Sequence, residues 1–374
     1  MKKILFIYGT RPEAIKMAPL IIELKRHLVD FSVKICLTGQ HREMLDQVNK
    51  FFEINDDYDL ELMLPNQTLP HLTARCLTGL DDIFAKVKPD LICVQGDTTT
   101  AMVGAMAAFY RKIPVMHLEA GLRSGEKYSP YPEEMNRRII SQIAEYHFAP
   151  TYTAKDNLYK EGITKNIYMV GNTVIDALQL GLRLMKKRGD DEYKRFFSFL
   201  DLSKRIILVT GHRRESFGNG FENICGAIHE IAERYIDIEI VYPVHLNPNV
   251  REPVFRILDA VPNIHLIEPL DYPNLIWLME KCYFVLTDSG GIQEEAPSLG
   301  KPVLVMREVT ERMEGIEAGT AILVGTNKKS ILSAMEMLLN DERAYENMHK
   351  AVNPYGDGTA SMKISSILLQ NTTY

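Results

Sequence analysis

The stretch PVMHLEAGLRSGEKYSPYPEEMNRR, residues 114–138, contains the elements that decide the fold of this chain. The apolar run at residues 114–117 predicts a buried strand, which delivers Glu119 at its C-terminal end. A loop rich in glycine, serine and proline follows, and Glu133 and Glu134 then open a helix. Strand, loop and helix in this order form the unit of an open α/β sheet, in which ligands bind outside the carboxyl ends of the strands.

The three carboxylates of this stretch have two interpretations. Acidic groups that meet in the crevice at the strand ends suit proton-transfer chemistry. Carboxylates in a first helical turn, as Glu133 and Glu134 are, also stabilise the positive end of the helix dipole without any catalytic role. The stretch alone leaves both interpretations open, and the rest of the chain has to decide between them.

Strand and helix patterns alternate along the chain twice. The first array begins with the apolar run 3–8 and turns into a helix at Gly9–Glu13. Its further predicted strands are 32–37, 91–95 and 115–117, with helices near 42–52, 70–87, 99–112 and 133–145. The second array has predicted strands 205–209, 238–242, 264–266, 283–286 and 303–306, with helices near 220–235, 250–260, 272–281 and 290–299. Two arrays separated around 165–195 predict an α/β protein of two doubly wound domains that face one another across a cleft.

Composition narrows the class of protein. The chain has 374 residues, 46 % hydrophobic and 25 % charged, which is typical of a globular enzyme with two or three domains. Its net charge of −6 predicts neither a nucleic-acid partner nor attraction to an anionic membrane. The N-terminal apolar run is too short for a signal peptide or a membrane span, so the sequence predicts a cytoplasmic protein without membrane insertion. Five widely spaced cysteines predict buried thiols rather than disulfides or zinc ligands: Cys36, Cys76, Cys93, Cys225 and Cys282.

The best candidate for a phosphate site is Ser289-Gly290-Gly291, which follows a predicted strand and opens a helix. Such a turn presents unpaired backbone N–H groups to an anion, and its glycines allow close approach. Glu295, about one turn later, is suited to a ribose diol. A plain glycine turn explains the same run equally well. The chain lacks both Gly-x-Gly-x-x-Gly and Gly-x-x-x-x-Gly-Lys-Ser/Thr after its N-terminal strands, which argues against a Rossmann dinucleotide site and a P-loop.

The other polar candidates lie beside predicted strand ends, and each has a structural alternative. An arginine or lysine there is often only solvated, Asp97 resembles a helix N-cap, and a histidine can be a structural donor. These candidates are Arg11, Lys16, Asp97, His212, His245 and Arg312. From the residues alone, the chain is a two-domain α/β protein with an anionic ligand and with acidic groups and a histidine in the cleft.

Eight runs in order, collinear from about residue 3 to Gly358, resemble the bacterial non-hydrolysing UDP-N-acetylglucosamine 2-epimerases. They are GTRPEAIK (9–16), QHREMLD (40–46), GDTTT (96–100), HLEAGLR (117–123), PEE (132–134), GHRRESFG (211–218), PVHLNP (243–248) and DSGGIQEEAP (288–297). Any one of these runs is a weak signal, but eight in order are highly specific.

The resemblance implies a glycosyltransferase-B-type fold made of two Rossmann-like domains. It places the catalytic carboxylates in an N-terminal domain, residues 1–170, and UDP in a C-terminal domain, residues 171–358. It also implies that a final helix within residues 359–374 crosses back to the N-terminal domain.

The implied reaction is the reversible epimerisation of UDP-N-acetylglucosamine (UDP-GlcNAc) at C2 to UDP-N-acetylmannosamine (UDP-ManNAc). It proceeds by elimination of UDP to 2-acetamidoglucal and re-addition of UDP, and it supplies ManNAc units for cell-surface polysaccharide synthesis. The resemblance implies no cofactor and no metal, and it predicts a homodimer.

Matched position by position, the resemblance implies catalytic roles for Asp97, Glu119, Glu133 and His212, without dividing the roles of base and acid among the carboxylates. The implied nucleotide-binding residues are Arg11, Lys16, Leu270, Leu275, Ser289, Gly290, Gly291, Glu295 and Arg312. Gln40, His41 and His245 match part of an allosteric site found in some members. Glu43 and Asn66 stand where those members have glutamine and arginine, so the sequence does not predict allosteric activation in that form.

Two other functions share parts of this pattern. A retaining glycosyltransferase has the same fold and nucleotide turn, but it does not need the carboxylate set of the first domain. A UDP-sugar sensor without activity would be expected to lose catalytic positions, and none is lost here. The intact run 9–14 favours unmodified UDP-GlcNAc over sugars altered at C3, C4 or C6.

Overall fold

The computed structural model describes residues 1–39, 42–64 and 67–370. The chain forms two compact units. The first contains residues 1–180 together with the chain from Tyr355 onward, and the second contains residues 181–354. The C-terminal segment therefore belongs to the same unit as the N-terminus.

The first unit contains a parallel sheet of seven strands in the order β3-β2-β1-β4-β5-β6-β7. The strands are β1 (Lys2–Tyr8), β2 (Phe31–Leu37), β3 (Tyr58–Asp59), β4 (Leu91–Gln95), β5 (Val115–Leu118), β6 (Tyr146–Ala149) and β7 (Ile167–Met169). The helices are α1 (Arg11–Leu24), α2 (Arg42–Phe51), α3 (Leu69–Val87), α4 (Thr99–Tyr110), α5 (Glu133–Ile143), α6 (Tyr152–Lys160), α7 (Thr173–Arg188), which continues into the second unit, and the C-terminal α16 (Ala360–Gln370).

The centre of this sheet explains why the N-terminal run is so apolar. β1 pairs in parallel with β2 on one side and with β4 on the other. Residues 4–8 are fully buried, because a central parallel strand is covered by helices on both faces. The strand order reverses between β1 and β4, and in doubly wound sheets ligands bind at that point. The loops after β1, β4 and β5 therefore meet at the edge of the sheet where a ligand is expected.

The second unit repeats the design with a parallel sheet of six strands in the order β10-β9-β8-β11-β12-β13. The strands are β8 (Arg205–Thr210), β9 (Ile238–Pro243), β10 (Ile264–Ile267), β11 (Phe284–Thr287), β12 (Val303–Val305) and β13 (Ala321–Leu323). The helices are α8 (Asp191–Phe196), α9 (Asn219–Arg234), α10 (Pro248–Leu258), α11 (Tyr272–Lys281), α12 (Gly290–Glu295), α13 (Met313–Glu317), α14 (Lys328–Asn340) and α15 (Glu342–His349). Short 3₁₀ turns lie at Arg214–Ser216 and Ala296–Leu299.

The expected fold class, two doubly wound α/β sheets, is confirmed. All nine strands predicted from apolar runs are present, with bounds that agree to within one residue at either end. Strands β3, β6, β7 and β13, which have two to four residues each, were not predicted. The predicted helix 290–299 is an α-helix only to Glu295 and continues as a 3₁₀ turn, where a proline follows the helix end.

No helix in the described ranges is long and apolar enough to cross a membrane. The five cysteines are all buried and free, as predicted.

Candidate active site

Glu119 is the most tightly held carboxylate at the edge of the first sheet. It follows β5 directly, and the Nζ atom of Lys16, on α1, lies 2.6 Å and 2.7 Å from its two carboxylate oxygens. The Glu119 side chain is only 7 % exposed and that of Lys16 14 %. Because both side chains are nearly buried, loss of either partner would leave the other as a poorly solvated charge. The ion pair therefore keeps both groups in a fixed orientation.

Two amide side chains complete the surroundings of Glu119. Gln95, the last residue of β4, donates from its Nε2 to Oε2 of Glu119. Asn172, just before α7, donates from its Nδ2 to Oε1 over 3.2 Å. Glu119 itself has a φ of 63°, a left-handed conformation that is uncommon for a residue with a side chain. Strained backbone of this kind is found preferentially at functional sites.

Asp97 lies in the neighbouring loop after β4 and is tied to α5. Its Oδ2 atom lies 2.5 Å from Nη2 of Arg137, and its backbone oxygen accepts from Asn136 Nδ2 over 2.8 Å. The interpretation of Asp97 as a helix cap is wrong, because the cap of α4 is Thr98, whose hydroxyl accepts from the N–H of Ala101. The Asp97 carboxylate is thus not used in capping.

The Asp97 loop also lies against Glu119. A Cβ atom added to Gly96 would lie 3.5 Å from Glu119 Oε2. The carbonyl of Gly96 accepts from the buried His117 ring over 2.7 Å, which fixes the loop from below. The structure therefore brings Asp97 and Glu119 to adjacent positions on two neighbouring strand ends.

Glu133 and Glu134 occupy the start of α5 and have different environments. Glu134 is fully buried, accepts from the N–H of Ser124 and pairs with Arg137 and Arg138. Although burial opposes ionisation, the hydrogen bond from Ser124 and the two arginines lower the pKa of Glu134. Glu133, in contrast, has a buried Oε2 atom for which the described residues supply no hydrogen-bond partner. The structural interpretation fits Glu134, and Glu133 is the carboxylate left available for another role.

Arg11 is the first residue of α1, five residues before Lys16. The helix start is fixed by the buried Glu13, whose Oε2 accepts from the N–H groups of Gly9 and Thr10 and whose Oε1 accepts from the hydroxyl of Thr98. Glu13 therefore links the loop after β1 to the loop that carries Asp97. Burial is the main cause that raises the pKa of Glu13.

In the second unit, His212 follows β8 and is held by the buried Asp288. The backbone N–H groups of His212 and Arg213 donate to Asp288 Oδ2 over 2.7 Å and 2.8 Å. Its Nδ1 lies 3.4 Å from Oδ1 of Asp288, and its ring stacks on that of His245 at 5.3 Å. Partial burial lowers the pKa of His212, Asp288 counteracts this, and the electrostatic effects of Arg213 and His245 lower the pKa further.

The predicted nucleotide turn has the expected local structure. β11 ends at Thr287, and Ser289 is the N-cap of α12, which begins at Gly290. The Ser289 N–H donates to the hydroxyl of Thr287 over 2.9 Å. A Cβ atom on Gly290 would lie 3.1 Å from Cζ of Arg312, which places that guanidinium directly against the turn. Arg312 in turn donates from its Nε to Glu294 over 3.0 Å.

Glu295 lies at the end of α12 and accepts from the buried hydroxyl of Tyr272 over 3.0 Å. A Cβ atom on Gly291 would lie 3.7 Å from Glu295 Oε2, so the second oxygen faces the glycine turn. Leu270 is buried just before α11, and Leu275 is half-buried within it.

The sequence analysis missed the supporting residues of both groups. Gln95, Asn172 and Arg137 touch the carboxylates of the first unit, and Asp288 and Glu294 hold His212 and Arg312. Asp288 and Glu294 lie inside the run DSGGIQEEAP, and that was the available signal. Gln95, Asn172 and Arg137 were missed because their roles depend on contacts between residues distant in sequence. Of the predicted allosteric positions, Gln40, His41 and Asn66 lie outside the described residues, nothing is described of the Glu43 side chain, and His245 stacks on His212. Within the described ranges, no group of three or more histidine, cysteine, aspartate or glutamate side chains can hold a metal ion.

Comparison with known proteins gives a consistent result. The family model described as UDP-N-acetylglucosamine 2-epimerase matches residues 23–369. The UDP-N-acetylglucosamine 2-epimerases of Escherichia coli O157:H7 and Yersinia pestis are 55 % and 54 % identical to the chain, over 99 % and 98 % of both partners.

Solved structures agree in fold. The crystal structure of UDP-GlcNAc 2-epimerase from Neisseria meningitidis bound to UDP-GlcNAc is 49 % identical, covers 99 % of this chain and 100 % of its own, and has a TM-score of 0.92. The Methanocaldococcus jannaschii enzyme in complex with UDP-GlcNAc and UDP is 35 % identical over 98 % of this chain and 99 % of its own, with a TM-score of 0.82.

Proposed function

The chain belongs to the UDP-N-acetylglucosamine 2-epimerase family and is therefore an isomerase, and we propose that it interconverts UDP-GlcNAc and UDP-ManNAc by eliminating and re-adding UDP. The product supplies ManNAc units for cell-surface polysaccharide synthesis. Family membership supports the overall reaction. The site geometry supports the assignment of groups to individual steps.

The proposed chemistry is balanced within the substrate. In the elimination, the C1–O bond breaks and UDP leaves with the electron pair, while a base takes the proton from C2 and a double bond forms between C1 and C2. In the re-addition, an acid returns a proton to the other face of C2 and a UDP oxygen attacks C1. The C2 hydrogen is hardly acidic at rest, so cleavage at C1 runs ahead and develops positive charge on the sugar. Carboxylates that face this charge stabilise it and also transfer the proton.

The observation that carries the proposal is the arrangement around Glu119. A carboxylate at a strained backbone position is held by an ammonium group at 2.6 Å and by two amides. A helix start or a protein core needs no such arrangement, whereas a positioned proton-transfer group does. Lys16 was predicted to bind the nucleotide, and we assign it the additional role of orienting Glu119.

Asp97 and Glu133 are proposed to share the acid–base work with Glu119. Asp97 is adjacent to Glu119 and is oriented by Arg137. Glu133 has a buried oxygen that accepts no hydrogen bond within the described part of the chain, and a substrate hydroxyl or amide is a suitable donor for it.

The second unit is proposed to bind UDP. The turn Ser289–Gly291 and the guanidinium of Arg312 suit the diphosphate, because both present donors to an anion at one point. Glu295 suits the ribose diol, and Leu270 and Leu275 suit the uracil ring. Arg11 is proposed to contact the diphosphate from the start of α1. His212, whose pKa is below the ordinary value, is neutral near pH 7 and can exchange a proton with the departing UDP.

The cellular setting is also a proposal. Five free buried thiols support a reducing compartment, for which we propose the cytoplasm. A homodimer is proposed as the working assembly, and the adjacent exposed aromatics Phe109 and Tyr110 at the end of α4 offer an apolar contact. Light scattering during size-exclusion chromatography checks the assembly by its mass.

Incubation with UDP-GlcNAc in deuterated water tests the proposed reaction. Proton NMR should show UDP-ManNAc appearing, with deuterium at C2 of the product and, over time, of the substrate as well. Deuterium enters only if the C2 proton leaves the sugar. Epimerisation with full retention of the C2 hydrogen would refute the elimination mechanism, and the absence of UDP-ManNAc would refute the substrate.

A further inference from the structure

Arg307 is a nearly buried arginine outside the predicted site, in the segment that follows β12. Its side chain is only 8 % exposed, although it carries a permanent charge. Its Nε donates to Glu215 Oε1 over 2.8 Å, and its Nη1 donates to Glu311 Oε2 over 2.8 Å. One rigid guanidinium therefore bonds two carboxylates from two separate loops.

The first of these loops carries His212. Glu215 lies three residues after His212, in the 3₁₀ turn Arg214–Ser216, and the start of the same loop is anchored on Asp288. The Arg307–Glu215 bond is therefore a second point of attachment for the loop, on the far side of the histidine.

The other partner, Glu311, lies in the segment 307–312, which supports the predicted nucleotide turn. Thr310 donates from its hydroxyl to Gln293 over 2.8 Å, and Gln293 Nε2 donates to the carbonyl of Ser289 over 3.2 Å. Arg312, which follows Glu311 directly, packs against Gly290 and bonds Glu294. Thr310 and Arg312 of this short segment thus both hold part of the turn.

The electrostatics favour a fixed arrangement. Although burial opposes ionisation, the hydrogen bond from Arg307 and the charges of Arg307 and Arg312 lower the pKa of Glu311 to about 2. Glu311 is thus charged at all physiological pH values, and its bond to Arg307 is a charge-assisted one, which is shorter and stronger than a neutral bond. A guanidinium with two fixed carboxylates has little freedom to rotate.

We propose that Arg307 is a positioning residue that fixes the His212 loop relative to the nucleotide-binding turn. The proposal rests on the roles proposed above for His212 and for the Ser289–Gly291 turn. UDP binding at the turn and proton exchange at His212 concern the same leaving group, so their relative position matters. A buried ion pair that served only stability would change the melting temperature without separating these two properties.

The two partners of Arg307 allow each connection to be cut separately. Glu215→Gln weakens the bond to the His212 loop, Glu311→Gln weakens the bond within the nucleotide segment, and Arg307→Met removes both. Arg307→Lys keeps the charge but cannot reach two carboxylates with a fixed fork. Arg256→Met is the matched control, because Arg256 also bonds two carboxylates, Glu252 and Glu222, but at the exposed surface of the same unit.

For each variant, kcat, KM, the calorimetric Kd for UDP, the melting temperature and the NMR titration of the His212 ring are measured. We expect Glu215→Gln to lower kcat about tenfold, with the UDP Kd within twofold of the parent and the His212 titration different from that of the parent. Glu311→Gln should weaken UDP binding about fivefold or more. Arg307→Met should lower both kcat and the affinity for UDP. Arg307→Lys should recover these two properties at most in part, and Arg256→Met should change neither.

Two results would overturn the proposal: a Glu215→Gln variant with kcat and His212 titration like the parent, or one whose UDP affinity falls as much as its kcat. If Arg307→Met does not fold, the two glutamine variants still decide, because each partner is more exposed than Arg307. The UDP affinities and the His212 titration do not depend on turnover. Failure of the parent enzyme to epimerise would therefore refute the proposed function without deciding on the role of Arg307.

Discussion

Gly290→Ala tests where the diphosphate binds, because a single methyl group at this position meets the predicted anion-binding arginine. The new Cβ would lie 3.1 Å from Cζ and 3.3 Å from Nε of Arg312, which is closer than ordinary van der Waals contact. Arg312 cannot simply swing away, since its Nε is bonded to Glu294 at 3.0 Å. The backbone of Gly290 is not in the left-handed region, so alanine causes no backbone strain there.

The expected loss of affinity follows from the contact that is disturbed. Hydrogen bonds to charged groups contribute about 1.5–3 kcal/mol each. If displacement of the guanidinium removes one such bond to the diphosphate, the Kd for UDP rises by about 10- to 100-fold. Gly290→Val adds two further methyl groups and should have a larger effect. Gly291→Ala should have a small one, because its Cβ would meet Glu295 Oε2 at 3.7 Å, an ordinary contact.

Isothermal titration calorimetry with UDP measures the effect directly, and thermal melting checks the fold. Gly226→Ala is the control: it lies in α9 of the same unit, and its Cβ would meet the Lys328 side chain at 3.5 Å or more. This control should bind UDP like the parent and melt slightly higher, because alanine is favoured over glycine in a helix. A Gly290→Ala variant that melts normally and binds UDP within twofold of the parent would mean that the diphosphate does not lie at this turn.

Four further substitutions test groups outside the glycine turn. Glu119→Gln and Asp97→Asn should each lower kcat at least about a hundredfold, the scale of a positioned acid–base group, with the UDP Kd unchanged. The NMR assay measures kcat and calorimetry measures the Kd. If both variants keep more than a tenth of the parent rate, neither carboxylate takes part in the mechanism. His245→Ala should raise the pKa of His212, because it removes part of the burial and the electrostatic effect of the His245 ring, so the acidic limb of the pH–rate profile should move to higher pH. An unmoved limb would contradict the role of His212. Burial lowers the pKa of His117 to about 3, so between pH 6.5 and 3 the unfolded chain binds a proton that the folded chain does not. The free energy of unfolding therefore falls as the pH falls through that window, by about 1.4 kcal/mol per pH unit at most. His117→Gln should make this dependence weaker in urea unfolding measured at pH 7 and pH 5, and an unchanged dependence would assign it to other groups.

The parts of the fold that the sequence predicts are those with strong local patterns. The run Ile4–Tyr8 is apolar at every position because both faces of a central parallel strand are covered, and that pattern needs no knowledge of the neighbours. β7 and β13 have three residues each and lie at the edges of their sheets. An edge strand has no neighbouring strand on one side, so its residues are partly buried and partly exposed. Its sequence then shows no clear hydrophobic period.

The site is less predictable than the fold, because its geometry depends on contacts between distant positions. The residue types at Lys16 and Glu119 are visible in the sequence, but their ion pair joins residues 103 positions apart. The left-handed backbone of Glu119 cannot be predicted from the sequence. A glycine often indicates such a conformation, but a glutamate does not. Arg307 lies outside all eight recognised runs, and only the structure connects it to both loops.

Glu133 and Glu134 are adjacent carboxylates whose environments differ in the structure. Successive residues of a helix point about 100° apart, so two adjacent carboxylates in a first turn cannot share one environment. From the residues alone, both fit helix-start carboxylates as well as proton-transfer groups, and only the family resemblance singles out Glu133. In the structure, Glu134 turns inward to two arginines and the N–H of Ser124, which accounts for its charge completely. Glu133 keeps a buried oxygen with no donor from the described residues. An unsatisfied buried acceptor costs free energy, and a donor group on a ligand would remove that cost. The carboxylate left unsatisfied within the protein is thus the one assigned to the substrate.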